Sequence, residues 1–220
     1  MSKQSKINLA IQEVKRREIK DDLRSSLEQS IDQRVNRFLE INHQWIIGNH
    51  YFAAASAECI ELYRDGYFIG AVMMSQAVNE GIIKFIVEKN DINKYKQKTL
   101  KGIMFFFAKI FNIDHHKEIA TKSISELIDE LVGKNIISKS CANASKQIWG
   151  SFRNDVHHMN PEVATIPFDI LAKGNLQDLA TIEKEIFGTD IKDGMLIPHQ
   201  PKYWDLQNDG TVQAFLRISC

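Results

Sequence analysis

Tyr67-Phe68-Ile69-Gly70-Ala71-Val72-Met73-Met74-Ser75-Gln76-Ala77-Val78-Asn79-Glu80-Gly81-Ile82-Ile83-Lys84-Phe85-Ile86-Val87-Glu88 is the most apolar window of a 220-residue chain. It contains no proline and is too long for a strand, so it predicts one long helix. Phe68, Ala71, Val72, Met74, Val78, Ile82, Ile83, Phe85 and Ile86 cover most of its circumference. A helix apolar all round is one that other helices surround. A membrane span would have to bury Gln76, Asn79, Glu80 and Lys84 in hydrocarbon, so the window reads as a core helix instead. Its polar positions then become informative. Gln76 and Asn79 need hydrogen-bond partners if buried, while Glu80 either faces solvent or reaches Arg153.

Working outward toward the N-terminus, Tyr51 to Arg64 predicts a second helix, buried through Phe52, Ala55, Cys59, Leu62 and Tyr63 and ended by Asp65-Gly66. Ile46 to His50 reads as a break. From Asn8 to Glu40 there is neither glycine nor proline, and Ile7, Ile11, Val14, Leu23, Leu27, Ile31, Val35 and Phe38 recur at helical spacing. They predict a long amphipathic helix with a charged outer face, possibly interrupted near Arg16 to Asp22. It suits either a packed surface helix or a coiled coil.

Toward the C-terminus, Leu100 to Phe111 predicts a buried helix whose Phe105-Phe106-Phe107 belongs to the core. Ser123-Ile124-Ser125-Glu126 resembles a capping box ahead of Leu127, Ile128, Leu131 and Val132. Ser138 to Asn160 predicts one helix, stopped by Pro161, with Cys141, Ala144, Ile148, Phe152 and Val156 inward. Phe168 to Phe187 predicts another, weakened around Gly174-Asn175. Past Gly188, Met195 to Ile197, Tyr203 to Leu206 and Val212 to Ile218 look like short strands, with Asp209-Gly210 as a hairpin turn. The expected class is all-α with a long N-terminal helix and a small C-terminal β-hairpin. The expected divisions are a helical arm at 1–47, a helical domain at 48–187 and a β-like appendage at 188–220.

Lys+Arg and Asp+Glu number 28 each, so bulk charge gives no reason to expect a tight duplex-DNA binder. The run Lys84 to Lys109 is a local exception, rich in lysine against only Glu88 and Asp91. It reads as a solvated stretch or as an electrostatic lead-in for a polyanion. Cys59, Cys141 and Cys220 are sparse and unpaired by spacing, which predicts reduced thiols. His115-His116 point to different helical faces and lack a second ligand pair, so no metal or other cofactor is expected. The first residues contain no apolar core of signal-peptide type, and the expected location is the cytoplasm, away from membranes.

One further stretch concentrates chemistry: Gly150-Ser151-Phe152-Arg153-Asn154-Asp155-Val156-His157-His158-Met159-Asn160-Pro161. On a helix, Asn154 and His158 share a face, so the amide can fix the imidazole tautomer. Arg153 and His157 form a second such pair. Arg153 and His158 are about 140° apart on one helix and converge only through the long reach of the arginine, around a substrate phosphate, or across two copies of the helix. A guanidinium for phosphate and a histidine that exchanges a proton near neutral pH suffice to cleave RNA without a metal.

Arg153, Asn154 and His158 match the pattern of Arg, a polar residue, three more residues and His, and in this the chain resembles the HEPN superfamily. The resemblance spans roughly residues 50 to 187 and includes Ala77 to Glu80, similar to the small-apolar-Glu segment of an early helix in that family. It implies a four-to-five-helix bundle, a homodimer with a composite site, and an RNA substrate cleaved to a 2′,3′-cyclic phosphate. The implied settings are toxin–antitoxin, phage-defence and RNA-processing systems, with a cognate antitoxin or effector protein as a further partner class. Carried over by position, Arg153 binds phosphate, Asn154 orients, and His158 is the acid/base. His157 competes with His158 for the proton-transfer role, and Glu80 or Asp155 supports Arg153 or the imidazole. Asn160 stands where one toxin subgroup has a tyrosine, so modification of that tyrosine by an antitoxin is not implied. A non-catalytic dimeric module that binds RNA, a nucleotide or a protein partner is the alternative.

Overall fold

The structure, a computed structural model, describes residues 3–41, 46–90, 123–151 and 165–216. These are mostly helical, and they divide into two compact units, the first ending at Glu40 and the second starting at Ile41.

The first unit is one helix, α1 (Lys3–Glu40), of 38 residues. It runs without the interruption expected near Arg16 to Asp22, because nothing there removes a backbone donor or forces a non-helical φ. Local bonds support it, such as Arg34 Nε to Ser30 Oγ at 3.2 Å and Gln29 Nε2 to Ser25 Oγ at 3.2 Å. The expected apolar stripe is not a fixed face. Ile19, Leu23, Leu27, Ile31, Val35 and Leu39 are all exposed and repeat every fourth residue, so the track advances by about 40° around the helix at each step.

The second unit is built around α3 (Phe68–Asn90), as its all-round apolarity predicts. Four other helices pack on it: α2 (Ala53–Arg64), α4 (Ile124–Gly133), α5 (Lys139–Gly150) and α6 (Phe168–Ile186). The core is aliphatic. Ile82, Ile83 and Ile86 of α3 meet the same closed interior as Ile128, Ile148, Ile182 and Ile186, all 0% exposed. Ser123 caps α4 in the expected reciprocal manner, its hydroxyl accepting from Glu126 N–H while Glu126 Oε2 accepts from Ser123 N–H. Gly174-Asn175 does not weaken α6, because Asn175 is buried and donates Nδ2 to Ser75 Oγ of α3 at 3.1 Å.

Two short antiparallel ladders complete the unit. β2 (Thr189–Lys192) and β3 (Met195–Pro198) form a hairpin. Its turn is Asp193-Gly194 (φ 53° and 77°), the pair of positive angles that a two-residue hairpin loop demands. Asp209-Gly210 was the expected hairpin turn, yet it joins no strand pair. It is an aspartate-stapled bend, with Asp209 Oδ1 accepting from Thr211 N and Oγ1. The strand expected at Tyr203 to Leu206 begins instead as a 3-10 turn, Pro201–Tyr203. Val212 bridges to Leu196 of β3, and β4 (Ala214–Leu216) then pairs with β1 (Ile46–Gly48). Residues 46–48, expected only as a break, are thus a strand.

The tail also closes the bundle. Tyr203 and Trp204 are buried, and Phe187 packs between the rings of His50, stacked at 4.0 Å, and Trp204, edge-on at 5.9 Å. A Cβ added at Gly48 would stand 2.3 Å from the Trp204 ring, so only glycine lets β1 approach this cluster.

Candidate functional site

A helix buried on every side can keep polar groups only if its neighbours supply partners, and α3 meets that condition along one strip. Ser75, Gln76 and Asn79 are at most 1% exposed. Asn79 and Ser145 of α5 bond reciprocally: Asn79 Nδ2 donates to the Ser145 carbonyl at 3.0 Å, and Ser145 Oγ donates to Asn79 Oδ1 at 2.7 Å. Gln76 Nε2 donates to the Ser151 carbonyl at 2.7 Å and to Ser151 Oγ at 3.1 Å. Gln76 opposite Ser151 and Asn79 opposite Ser145 make α3 and α5 antiparallel.

The sequence stated the need of Gln76 and Asn79 for partners but not their identity. Ser145 and Ser151 carry no motif. The available signal was the small residue set Ala142, Ala144 and Ser145, which lets two helices approach closely enough for an Asn side chain to bridge them.

These bonds fix the end of α5 immediately before the chemistry-bearing stretch. The helix expected to run unbroken from Ser138 to Asn160 ends at Gly150, where Ser151 takes φ −76° and ψ 78° and turns its own hydroxyl back on the Ile148 carbonyl at 2.6 Å. Phe152 and Val156, expected inward with Ile148, lie outside the described residues. Arg153, Asn154, Asp155, His157 and His158 begin two residues further on and lie outside the described residues. Most of the lysine-rich run, Phe105 to Phe107 and His115-His116 lie outside them as well.

Glu80 sits one turn beyond Gln76 on α3. It accepts from Lys84 Nζ at 2.5 Å, its side chain 22% exposed. Gln76 Oε1 is buried with no hydrogen-bond partner among the described residues, an acceptor left open beside the segment that leads into the arginine and histidines.

Among the described residues no group of three or more His, Cys, Asp or Glu could hold a metal ion, and no helix is long and apolar enough to cross a membrane. Two cysteines are buried nucleophiles held inert. Burial pushes the Cys141 thiol up to about 12, with the nearby Glu185 charge adding to it, and burial raises Cys59 further, with Glu183 adding. Below pH 9 both thiols are protonated whether the chain is folded or not. Above pH 9 unfolding frees them to ionise, so they contribute stability that is lost as pH rises towards 12. In the native protein at pH 8 neither thiol should react with Ellman's reagent on a timescale of minutes, whereas both should react at once in denaturant. Prompt labelling of either in the folded chain contradicts this burial.

Compared with protein-family models, with curated proteins and with solved structures, the chain matches none.

Proposed function

We propose that this chain is a metal-independent endoribonuclease of the HEPN type. The observation that carries the proposal is Arg153-Asn154-Asp155-Val156-His157-His158, joined to a helix that the buried partners of α3 tie down to its last residue. The helical bundle around α3 supports it, since a family site of this kind is mounted on such a scaffold.

In the proposed reaction the ribose 2′-OH attacks the adjacent phosphorus and the bond to the 5′-oxygen breaks, leaving a 2′,3′-cyclic phosphate and a 5′-OH. A histidine takes the proton from the 2′-OH, and a second proton reaches the leaving oxygen. His158 is the proposed acid/base, with His157 the competitor for that role. Arg153 holds the phosphate and neutralises its developing charge. Asn154 orients the imidazole, and Asp155 or Glu80 steadies Arg153 or the ring. As the family resemblance implies, the proposed site is composite, formed by two copies of the chain acting on one RNA.

The test is cleavage of a mixed RNA substrate in excess EDTA by the wild type, His158→Ala, His157→Ala and Arg153→Ala. Fragments ending in cyclic phosphate are expected from the wild type, with losses of 100-fold or more for His158→Ala and Arg153→Ala, in line with about 10²–10⁴-fold for a general acid or base. His157→Ala should retain most activity. Turnover that requires a divalent ion, or that survives both substitutions, would remove the proposal. RNA binding without cleavage by a folded dimer would favour the non-catalytic module.

A further inference from the structure

Of the 17 exposed large apolar residues described, ten lie on α1, from Ile7 at 44% to Leu23 at 66% exposure. Water does not favour that many on one helix, and a long helix gains most of its stability from packing. We propose that α1 is an interaction surface for a second copy of itself, with two α1 helices crossing antiparallel at Leu23.

Three features of the sequence on this helix favour that occupant. The apolar ladder is symmetric next to Leu23, where Ile19 and Leu27 stand at equal distances on either side, and one step further out Lys15 stands opposite Ile31. Reversing the helix end for end therefore lays Ile19 on Leu27 and Leu23 on its own copy at the central turns. The fourfold spacing makes a ridge of i±4 type, and two such ridges interlock at a crossing of about 50°, not in the shallow wrap of a heptad coiled coil. Charge then selects the direction. Lys3–Lys20 carries six Lys or Arg against Glu13 and Glu18, whereas Asp21–Glu40 carries five Asp or Glu against Arg24, Arg34 and Arg37. An antiparallel crossing sets Lys15, Arg16, Arg17 and Lys20 beside the half that holds Glu28 and Asp32. A parallel one would set each cluster against its own copy.

At that crossing angle only the central turns touch, on the order of 400 Å² per chain, about half of what each partner contributes to a standard stable interface. The association through α1 is accordingly reversible and concentration-dependent. It is independent of the ribonuclease proposal, which concerns residues elsewhere in the chain.

The experiment uses the full chain with Cys220→Ser. Equal amounts of an Ile19→Cys chain and a Leu27→Cys chain are mixed and mildly oxidised, and the linked peptides are identified by mass. Links joining position 19 of one chain to position 27 of the other are expected to predominate. Adding Leu23→Glu to both chains should reduce their yield at least tenfold, with helix content unchanged by circular dichroism, since position 23 is exposed within the chain. Links mainly of 19 to 19 and 27 to 27 would mean a parallel pair and overturn the proposal. So would an absence of links up to 100 μM, links that form only when RNA is added, or a yield indifferent to Leu23→Glu.

Discussion

Tyr203→Ala destabilises the bundle by about 3–5 kcal/mol, the cost of removing a fully buried aromatic side chain. In a unit of this size that lowers the melting temperature by on the order of 10 °C. Tyr203 is 0% exposed, and its ring lies 6.0 Å from that of Phe85 on α3. Its hydroxyl accepts from Asn90 Nδ2 at 2.9 Å, at the last residue of the same helix. One residue of the tail thus caps the central helix by contact and by hydrogen bond. Tyr203→Phe separates the two: it keeps the ring and should cost only about 1 kcal/mol, the net worth of one hydrogen bond. Urea midpoints of the two variants decide the matter. Equal small shifts would mean that the tail does not seal the core.

Asn79→Ala should cost about 2–4 kcal/mol, because it leaves the buried Ser145 hydroxyl without its acceptor and opens a cavity between α3 and α5. The pair is reciprocal, so the effect should be strongly non-additive. Ser145→Ala alone should also destabilise, and the double variant should cost less than the sum of the two by about 1–2 kcal/mol. Strictly additive midpoints would show that the two side chains are not coupled. Asn79 also holds the helix from which the Arg153 segment departs. On the proposed function, a folded Asn79→Ser variant should therefore lose RNA cleavage out of proportion to its stability, while Ser56→Ala, on the opposite connection to Glu183 of α6, should not.

The helices were legible where their signals are local. The all-round apolarity of Phe68 to Ile86 identified the central element, Asp65-Gly66 ended α2, and Ser123 with Glu126 announced the start of α4. What the sequence hid was set by distant partners. Ile46-Ile47-Gly48 is too short for an alternation to register, and its pairing strand lies near the other end of the chain. Asp193-Gly194 and Asp209-Gly210 are the same dipeptide, and only the first is flanked by residues that find each other as a ladder. Pro161 suggests where the α5 helix should stop, but the helix ends at Gly150, one residue before the Ser151 that Gln76 holds. Of the candidate site, Gln76 and Asn79 were flagged by chemistry alone, a polar group on a buried helix. Their serine partners were not, since a serine hydroxyl fits core and surface equally well.

The ladder between β1 and β4 has a consequence for how the protein comes into being. Its neighbouring rung, Asn49 with Gln213, joins residues 164 positions apart. At about 5–20 residues per second, a ribosome takes on the order of 10–30 s to deliver β4 after β1 has emerged. During that interval the helices, whose contacts are closer in sequence, can assemble, but the backbone donors and acceptors of Ile46 to Gly48 wait unmatched. A nascent chain in this condition offers an open strand edge to whatever shares the exit vestibule, and a cell-free translation stalled before Ala214 should recruit chaperones that the released chain sheds.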